Sequence, residues 1–101
     1  MNSMYAKIHS SLIINSLRKH RKLMGYKQKD VALLMHLKDT SHISRWEKGL
    51  SLPSSNNLLK LSIIYRTFPN ELYYNLLLEL RHEILKREKL LLKNDVSRNT
   101  L

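Results

Sequence analysis

The chain has no cysteine, only two glycines and two prolines, and no long apolar run. The absence of cysteine excludes disulfides and thiolate metal sites, and it fits a reducing compartment. An all-β protein needs many tight turns, for which so few glycines and prolines are insufficient. A membrane span needs about 18 consecutive apolar residues, and nothing resembles a signal peptide. We therefore expect a soluble, cytoplasmic protein that has no contact with a membrane.

Acidic residues are scarce as well. The chain carries 18 Lys and Arg against eight Asp and Glu, for a formal net charge of +10. The excess is uneven, because residues 1–53 hold ten basic and three acidic residues while residues 54–101 hold eight and five. Such a balance is typical of a protein that binds a polyanion, with the first half as the binding face. The alternative is a charge that serves only solubility.

What is abundant favours helices. Hydrophobic residues make up 43% of the 101 residues, which suits one small domain. Leu, Lys and Arg dominate, and all three form helices well. We predict an all-α fold of five helices, the last of which is extended. Residues 1–9 are flexible, and residues 10–72 form the domain. Residues 73–101 comprise most of the last helix and a disordered tail from Val96.

Caps and breakers divide the predicted helices. The first helix begins after Ser10 or Ser11, presents an inward stripe, and ends at Gly25. The members of this stripe are Ile13, Ile14, Leu17, Arg21 and Met24. The second begins near Gln28, and the third is capped by Asp39 and ended by Gly49.

Serine and proline delimit the last two helices. The fourth begins at Ser54 or Ser55, with its core-facing residues at Leu58, Leu59, Leu61, Ser62, Ile64 and Tyr65. Pro69 stands in the first turn of the fifth, which extends to about Asn94.

The last helix carries more apolar residues than its own domain requires. One stripe consists of Tyr73, Leu77, Leu80, Ile84 and Leu91, and a second line at intervals of seven consists of Leu78, Leu85 and Leu92. One stripe is enough to dock the helix on its domain, so the second favours a partner, of which another copy is the simplest. The predicted dimer interface comprises Leu77, Leu78, Ile84, Leu85 and Leu92. The alternative is a helix that packs only at its start and is solvated beyond it.

Three runs of residues carry a resemblance to a known family. They are Leu17-Arg18-x-x-Arg21, Gln28-x-x-Val31-Ala32, and Ile43-Ser44-Arg45-Trp46-Glu47-Lys48-Gly49-x-x-x-Pro53. In this order and spacing the chain resembles the lambda-repressor-like (Cro/repressor, or XRE) helix-turn-helix family over roughly residues 10–73. Most members have one residue fewer in the turn and a glycine where this chain has His36. The chain is similar to a subgroup with a longer turn and a long C-terminal helix.

The third helix, at about residues 40–48, is predicted to read DNA. A major groove admits one α-helix, and the side chains of its first turns face the base edges. With Asp39 as the cap, the predicted base contacts are Thr40, Ser41, His42, Ser44 and Arg45. Arg45 can donate two hydrogen bonds to a guanine, worth about 1–3 kcal/mol of discrimination. The alternative for Arg45 is a phosphate contact.

Further residues are assigned to phosphates or to the scaffold. Gln28 begins the second helix, where an amide and free N–H groups can hold a phosphate, and the resemblance implies the same role. The other predicted phosphate contacts are Lys27, Lys48, Ser51 and the Gly49 backbone. The resemblance also implies a partly buried ion pair between Arg21 and Glu47. We interpret Trp46 as a core residue rather than a stacking platform.

No pattern indicates catalysis. The five histidines lack metal-ligand spacing, and there is no glycine-rich phosphate loop or catalytic serine motif. We expect no cofactor, no metal and no enzyme activity. The sequence predicts a double-stranded DNA-binding transcriptional regulator, repressor-like and homodimeric. The alternative is an antitoxin-like protein-interaction module that binds through the C-terminal helix. RNA binding is disfavoured, since no exposed aromatics stand among the basic residues.

Overall fold

The computed structural model describes residues 12–99, and the side chains of residues 12–94. All regular structure in this part of the chain is helical, which confirms the all-α prediction. The helices are α1 Leu17–Leu23, α2 Gln28–Leu34, α3 Ser41–Glu47, α4 Ser55–Ile64, α5 Pro69–Leu72 and α6 Tyr74–Asn99. None of the described helices is both long and apolar enough to cross a bilayer. The segment predicted to be flexible, residues 1–9, lies outside the described residues.

Helices α1 to α5 surround one small core. Its buried side chains come from every one of these helices and from the residues that flank them, namely Leu17, Val31, Ala32, Met35, Ile43, Trp46, Leu61, Tyr65, Leu72 and Tyr73. Leu59 was predicted to join this core, but it is exposed and that prediction is wrong. Ser54 caps α4, because its Oγ accepts a hydrogen bond from Asn57 N at 3.2 Å.

The start of α1 differs from the prediction. Residues 12–16 are not helical, and α1 begins only at Leu17. The backbone N–H groups of this segment are used elsewhere: Ile13 N donates to Gly49 O, and Ser16 N donates to Leu72 O, each at 2.9 Å. Ile14 is consequently exposed, and the predicted helical stripe is wrong in its first part. The segment instead joins the ends of α3 and α5.

The predicted fifth helix is two helices. Pro69 occupies the first turn of α5 as predicted, but the chain leaves helical geometry at Tyr73, with φ −130° and ψ 47°. Ser16 explains the break, because its Oγ donates to Glu71 O at 2.8 Å and its N–H donates to Leu72 O. A continuous helix would need these carbonyls for its own N–H groups four residues on. The helix α6 then extends to Asn99, past the predicted end near Asn94 and into the predicted disordered tail.

Among the described side chains of α6, those that contact the domain lie at the beginning of the helix. Leu76 packs against the core and Leu77 is half-buried. The stripe expected to dock on the domain is exposed at Leu80, Ile84 and Leu91. That expectation is therefore wrong beyond the first turn, and both lines of leucines point to solvent.

Candidate nucleic-acid interface

The turn between α2 and α3 contains a left-handed histidine. His36 has φ 58°, at the position where the family usually has glycine. Histidine is among the residues that adopt this conformation more readily than most. The turn is closed by a hydrogen bond from Leu37 N to Ala32 O at 2.8 Å, which satisfies a carbonyl of the last turn of α2.

The start of α3 is held by the carboxylate of Asp39. Its Oδ1 accepts a hydrogen bond from Ser41 N at 2.9 Å, although the N-cap position predicted for Asp39 is taken by Thr40. Thr40 occupies the position next to the helix, and its own side chain makes no cap bond. The hydrogen bonds from Ser41 hold the pKa of Asp39 below its ordinary value. The charge near the helix N-terminus is also favourable for the helix dipole.

The two faces of α3 have separate roles. Ile43 and Trp46 are buried in the core, as predicted for Trp46. Residues 40, 41, 44 and 45 lie within an arc of about 140° on the opposite side of the helix, at 3.6 residues per turn. Among them, Ser41 and Arg45 are exposed, while Thr40 and Ser44 are half-buried. These four residues are thus accessible on the side of α3 that faces away from the core.

His42 occupies the margin of this face. Its ring stacks on that of Trp46, with ring centroids 5.8 Å apart and an angle of 28° between the planes. The imidazole is exposed but lies along the side of the helix. It is therefore less free to reach into a groove than the side chain of Arg45.

A buried ion pair fixes α3 to α1. Arg21 Nε donates to Glu47 Oε2 at 2.6 Å, and Nη2 donates to Oε1 at 3.1 Å. The third guanidinium nitrogen, Nη1, donates to Tyr26 O at 2.9 Å. The hydrogen bond with Glu47 raises the pKa of Arg21 above its ordinary value, against the opposing effect of burial. The ion pair that the resemblance implied is present, and it is bidentate.

Gln28 joins this ion pair. Its Nε2 donates to Glu47 Oε1 at 3.0 Å, so one hydrogen of the amide is used inside the protein. Side chains from three helices therefore meet at the carboxylate of Glu47. At the same end of α2, the Lys27 N–H is also occupied, because it donates to Asp30 Oδ2 at 2.8 Å. A phosphate near this helix end must share Gln28 with Glu47.

Asn15 anchors the other end of α3, and it was missed from the sequence. Its Nδ2 donates to Ile13 O at 2.9 Å and Trp46 O at 3.0 Å, with Glu47 O at 3.4 Å. Its Oδ1 accepts from Leu17 N at 3.1 Å, so the same side chain caps α1. An asparagine just before an apolar-periodic stretch is a start signal for a helix, but the start of α1 was predicted at the earlier serines.

Gly49 closes α3 in a left-handed conformation with φ 76° and is buried. Its N–H donates to Trp46 O at 3.0 Å, and its carbonyl accepts from Ile13 N. Both backbone groups are therefore engaged within the protein. No donor is left for the phosphate contact predicted at Gly49.

A basic cleft lies beside α3. It has a volume of about 430 Å³ and is lined by Arg18, Arg21, Gln28, Ser44, Glu47 and Lys48. Arg18 and Lys48 are exposed on its edges, while the Arg21 charge is compensated by Glu47. Arg18 was quoted within the motif but given no role. The sequence feature that could have assigned Arg18 to the cleft is its position three residues before Arg21, on the same side of α1. Lys27 is exposed and Ser51 half-buried.

A comparison with known families agrees with this geometry. A family model described as helix-turn-helix (HTH_3) matches residues 17–71, which is 55 of the 101 residues. Searches of curated proteins and of solved structures gave no match. The matched region begins with α1, ends within α5, and includes the whole of α3 with its ion pair. The chain therefore belongs to the lambda-repressor-like helix-turn-helix family (Cro/C1-type, XRE-like) of DNA-binding proteins.

Proposed function

We propose that this protein is a sequence-specific transcriptional regulator, repressor-like, that inserts α3 into the major groove of double-stranded DNA. The observation that carries the proposal is the exposed face of α3, which a buried three-helix hydrogen-bond network holds in place on a chain of net charge +10. A preformed helix loses little freedom on entering a groove. We place the DNA-binding unit at residues 10–72 and its action in the cytoplasm.

Arg45 is the residue that we propose reads sequence. It is exposed, and none of the ion pairs found among the described residues includes it. Its guanidinium matches the two major-groove acceptors of guanine. Thr40, Ser41 and Ser44 contribute short hydroxyl contacts on the same face. His42 contributes from the edge, because its ring is stacked on Trp46.

The phosphate contacts follow from the cleft. We propose that Lys27, Lys48 and Ser51 contact the backbone next to the groove, together with the free hydrogen of Gln28. Arg18 is added to this set, because it lines the same cleft as Lys48. Gly49 is omitted, since its N–H is bonded to Trp46 O. Such contacts set affinity and register rather than sequence preference.

The base-reading role is tested by comparing Arg45→Ala with Lys60→Ala. Both substitutions remove one exposed positive charge, but Lys60 lies on α4, outside the proposed interface. Sites are first selected from random DNA with the unchanged protein. Arg45→Ala is expected to weaken binding to the selected site by about 5- to 150-fold, the equivalent of one bidentate base contact. Equal losses for the two variants, or failure to select any site, would remove the proposal.

The phosphate role of Arg18 has a different signature. Arg18→Ala is expected to weaken binding to the selected DNA and to random DNA by the same factor. It should also reduce the slope of log affinity against log salt concentration by about one. Binding is measured by fluorescence anisotropy between low and moderate salt. A loss confined to the selected site would instead place Arg18 on a base.

We further propose that the protein binds as a homodimer through α6, with its interface at Leu77, Leu78, Ile84, Leu85 and Leu92. All of these except Leu77 are exposed large apolar side chains. Leu85 and Leu90 make a matched pair for the test, since they are 48% and 58% exposed but point to different sides of the helix. Leu85→Asp is expected to give a monomer in sedimentation equilibrium, whereas Leu90→Asp leaves the dimer. A monomeric unchanged protein would favour the alternative, an antitoxin-like module whose α6 binds a different protein.

A further inference from the structure

The exposed face of α6 has a pattern that is symmetric about its middle. Pairs of apolar residues recur at intervals of seven, at 77–78, 84–85 and 91–92. Arg81 stands halfway between the first and second pairs, and Glu88 halfway between the second and third. The pattern therefore reads the same from either end, except that the two charges are opposite.

These two charges have no partner along their own helix. The neighbours of Arg81 three and four residues away are all Leu or Ile, at 77, 78, 84 and 85, and those of Glu88 are at 84, 85, 91 and 92. Within the described side chains neither takes part in an ion pair. In contrast, Arg87 and Glu83 form a pair at 3.1 Å elsewhere on the helix. An apolar face with one unpaired cation and one unpaired anion indicates a partner that brings the opposite charges.

Among the described residues, the domain covers this face only in part at Leu77, which is half-buried, and leaves the other residues of the face exposed. Leu76 is the α6 residue that packs on the core, and it lies roughly 130° around the helix from the line through Arg81 and Glu88, at 3.6 residues per turn. Both charged residues are exposed. The docking of α6 on the domain therefore leaves the symmetric face open from Leu78 onward.

We propose that α6 pairs antiparallel with α6 of a second copy, about a two-fold axis that passes between Ile84 and Leu85. This proposal rests on the proposed homodimer and specifies its geometry. The axis brings Arg81 opposite Glu88 of the partner subunit, twice by symmetry. It also places Leu78 beside Leu92 of the partner subunit. A parallel pair would instead oppose Arg81 to Arg81 and Glu88 to Glu88, which is unfavourable for like charges in an apolar interface.

The same geometry separates the two DNA-binding units. Tyr74 begins α6 about ten residues before the axis, which corresponds to about 16 Å at 1.5 Å per residue. The two helix starts therefore lie about 32 Å apart along the pair. Half-sites on one side of DNA are about 34 Å apart. An antiparallel pair thus has the two-fold symmetry that an inverted repeat needs, and it separates the starts of the two α6 helices by a distance of the same order as the half-site spacing.

Charge exchange tests the central pair. Arg81→Glu and Glu88→Arg, each alone, are expected to raise the dimer Kd by at least about tenfold, because each opposes like charges twice. The double variant R81E/E88R restores opposite charges and is expected to return Kd to within about threefold of the unchanged protein. Arg87→Glu, off the symmetric face, is the control and leaves Kd nearly unchanged. Failure of the double variant to recover would overturn the pairing.

Disulfide trapping tests the direction, on a chain that has no cysteine of its own. Leu78→Cys and Leu92→Cys proteins are prepared separately and mixed in a glutathione redox buffer. Antiparallel pairing gives a disulfide only in the mixture, since each cysteine lies about 20 Å from its own copy. Disulfides in each protein alone would show a parallel pair, and would overturn this inference while leaving the homodimer intact. A monomer would overturn both, whereas the DNA contacts of Arg45 are tested independently.

Discussion

Substitution of Gly49 by alanine probes the contact that seats the end of α3. Gly49 has φ 76°, and an added Cβ would meet the backbone of Ile13, with its N at 2.8 Å and its C at 3.0 Å. Gly25 has the same φ of 76°, but a Cβ there has nothing within 4 Å. The pair Gly49→Ala and Gly25→Ala therefore shares the backbone strain and differs in the contact with Ile13.

The two substitutions differ in the expected loss of unfolding free energy. The left-handed conformation costs a residue with a Cβ about 1–2 kcal/mol, and the stiffer unfolded chain offsets about 0.4–1 kcal/mol of this. Gly25→Ala should therefore lower the free energy of unfolding by about 1 kcal/mol. At Gly49 the Ile13 backbone must also move, which adds about 1–3 kcal/mol. Loss of the bond from Ile13 N to Gly49 O adds about 0.5–1.5 kcal/mol.

Urea unfolding followed by far-UV circular dichroism measures both variants. We expect Gly49→Ala to lose about 3–5 kcal/mol in total, a large part of the stability of a domain of this size. If this variant does not fold, Gly25→Ala still tests the strain shared by both positions. Equal losses within about 0.5 kcal/mol, the additivity error of such measurements, would refute the packing of Ile13 on Gly49. They would also refute the explanation for the non-helical segment before α1.

Three further predictions concern the same framework. Asn15→Ala removes the side chain that caps α1 and holds the end of α3, and it should cost about 1–3 kcal/mol in the same urea assay. His36→Gly relieves a left-handed residue and should gain about 0.5–1 kcal/mol, so a loss would contradict the strain assigned there. Burial raises the pKa of Tyr73 to about 12. This folded-state pKa lies above the unfolded value of about 10. The contribution of Tyr73 to the free energy of unfolding should therefore be fully present below pH 10 and be lost as the pH rises towards 12. Tyr73→Phe should flatten that decline, measured by urea unfolding from pH 9 to 12, whereas Tyr74→Phe, at a site 56% exposed against 6% for Tyr73, should not.

Local caps and breakers were the features that the sequence predicted best. Gly25 and Gly49 both take φ 76°, Ser54 caps α4, and Pro69 opens a helix. Each of these depends on hydrogen bonds within a few residues or on one residue's own conformational preference. Such information is present in the local sequence, so these predictions needed no knowledge of the fold.

The features that failed depend on contacts between distant residues. Nothing near Tyr73 in the sequence indicates a break, and the surrounding residues favour helix. The break results from Ser16, 55 residues away from Glu71, whose carbonyl it binds. The non-helical segment before α1 likewise depends on Gly49, across the domain. Helical propensity amounts to only tenths of a kcal/mol per residue, so a few tertiary hydrogen bonds override it.

The candidate interface was predictable in its outline. The positions of Ile43 and Trp46 determine which face of α3 is outward, so the set around Arg45 followed from periodicity. The side-chain hydrogen bonds did not follow. Gln28 was assigned to a phosphate, but its amide also binds Glu47 at 3.0 Å. Whether a polar side chain binds a ligand or a neighbour depends on distances that a sequence does not contain.

The two ends of α3 are held by different kinds of contact. The start of the helix is held by a local bond from Asp39, directly after the turn. Its end is held by Asn15, Glu47 and Gly49, which connect it to other parts of the domain. An added residue before the helix can therefore shift the approach to Thr40 and Ser41 without releasing the end. Arg45 is two residues before Glu47, on the firmly held part of α3. We therefore expect the base reading proposed for Arg45 to tolerate changes in the turn better than the contacts proposed for Thr40 and Ser41, as measured by the binding of turn variants to the selected DNA site.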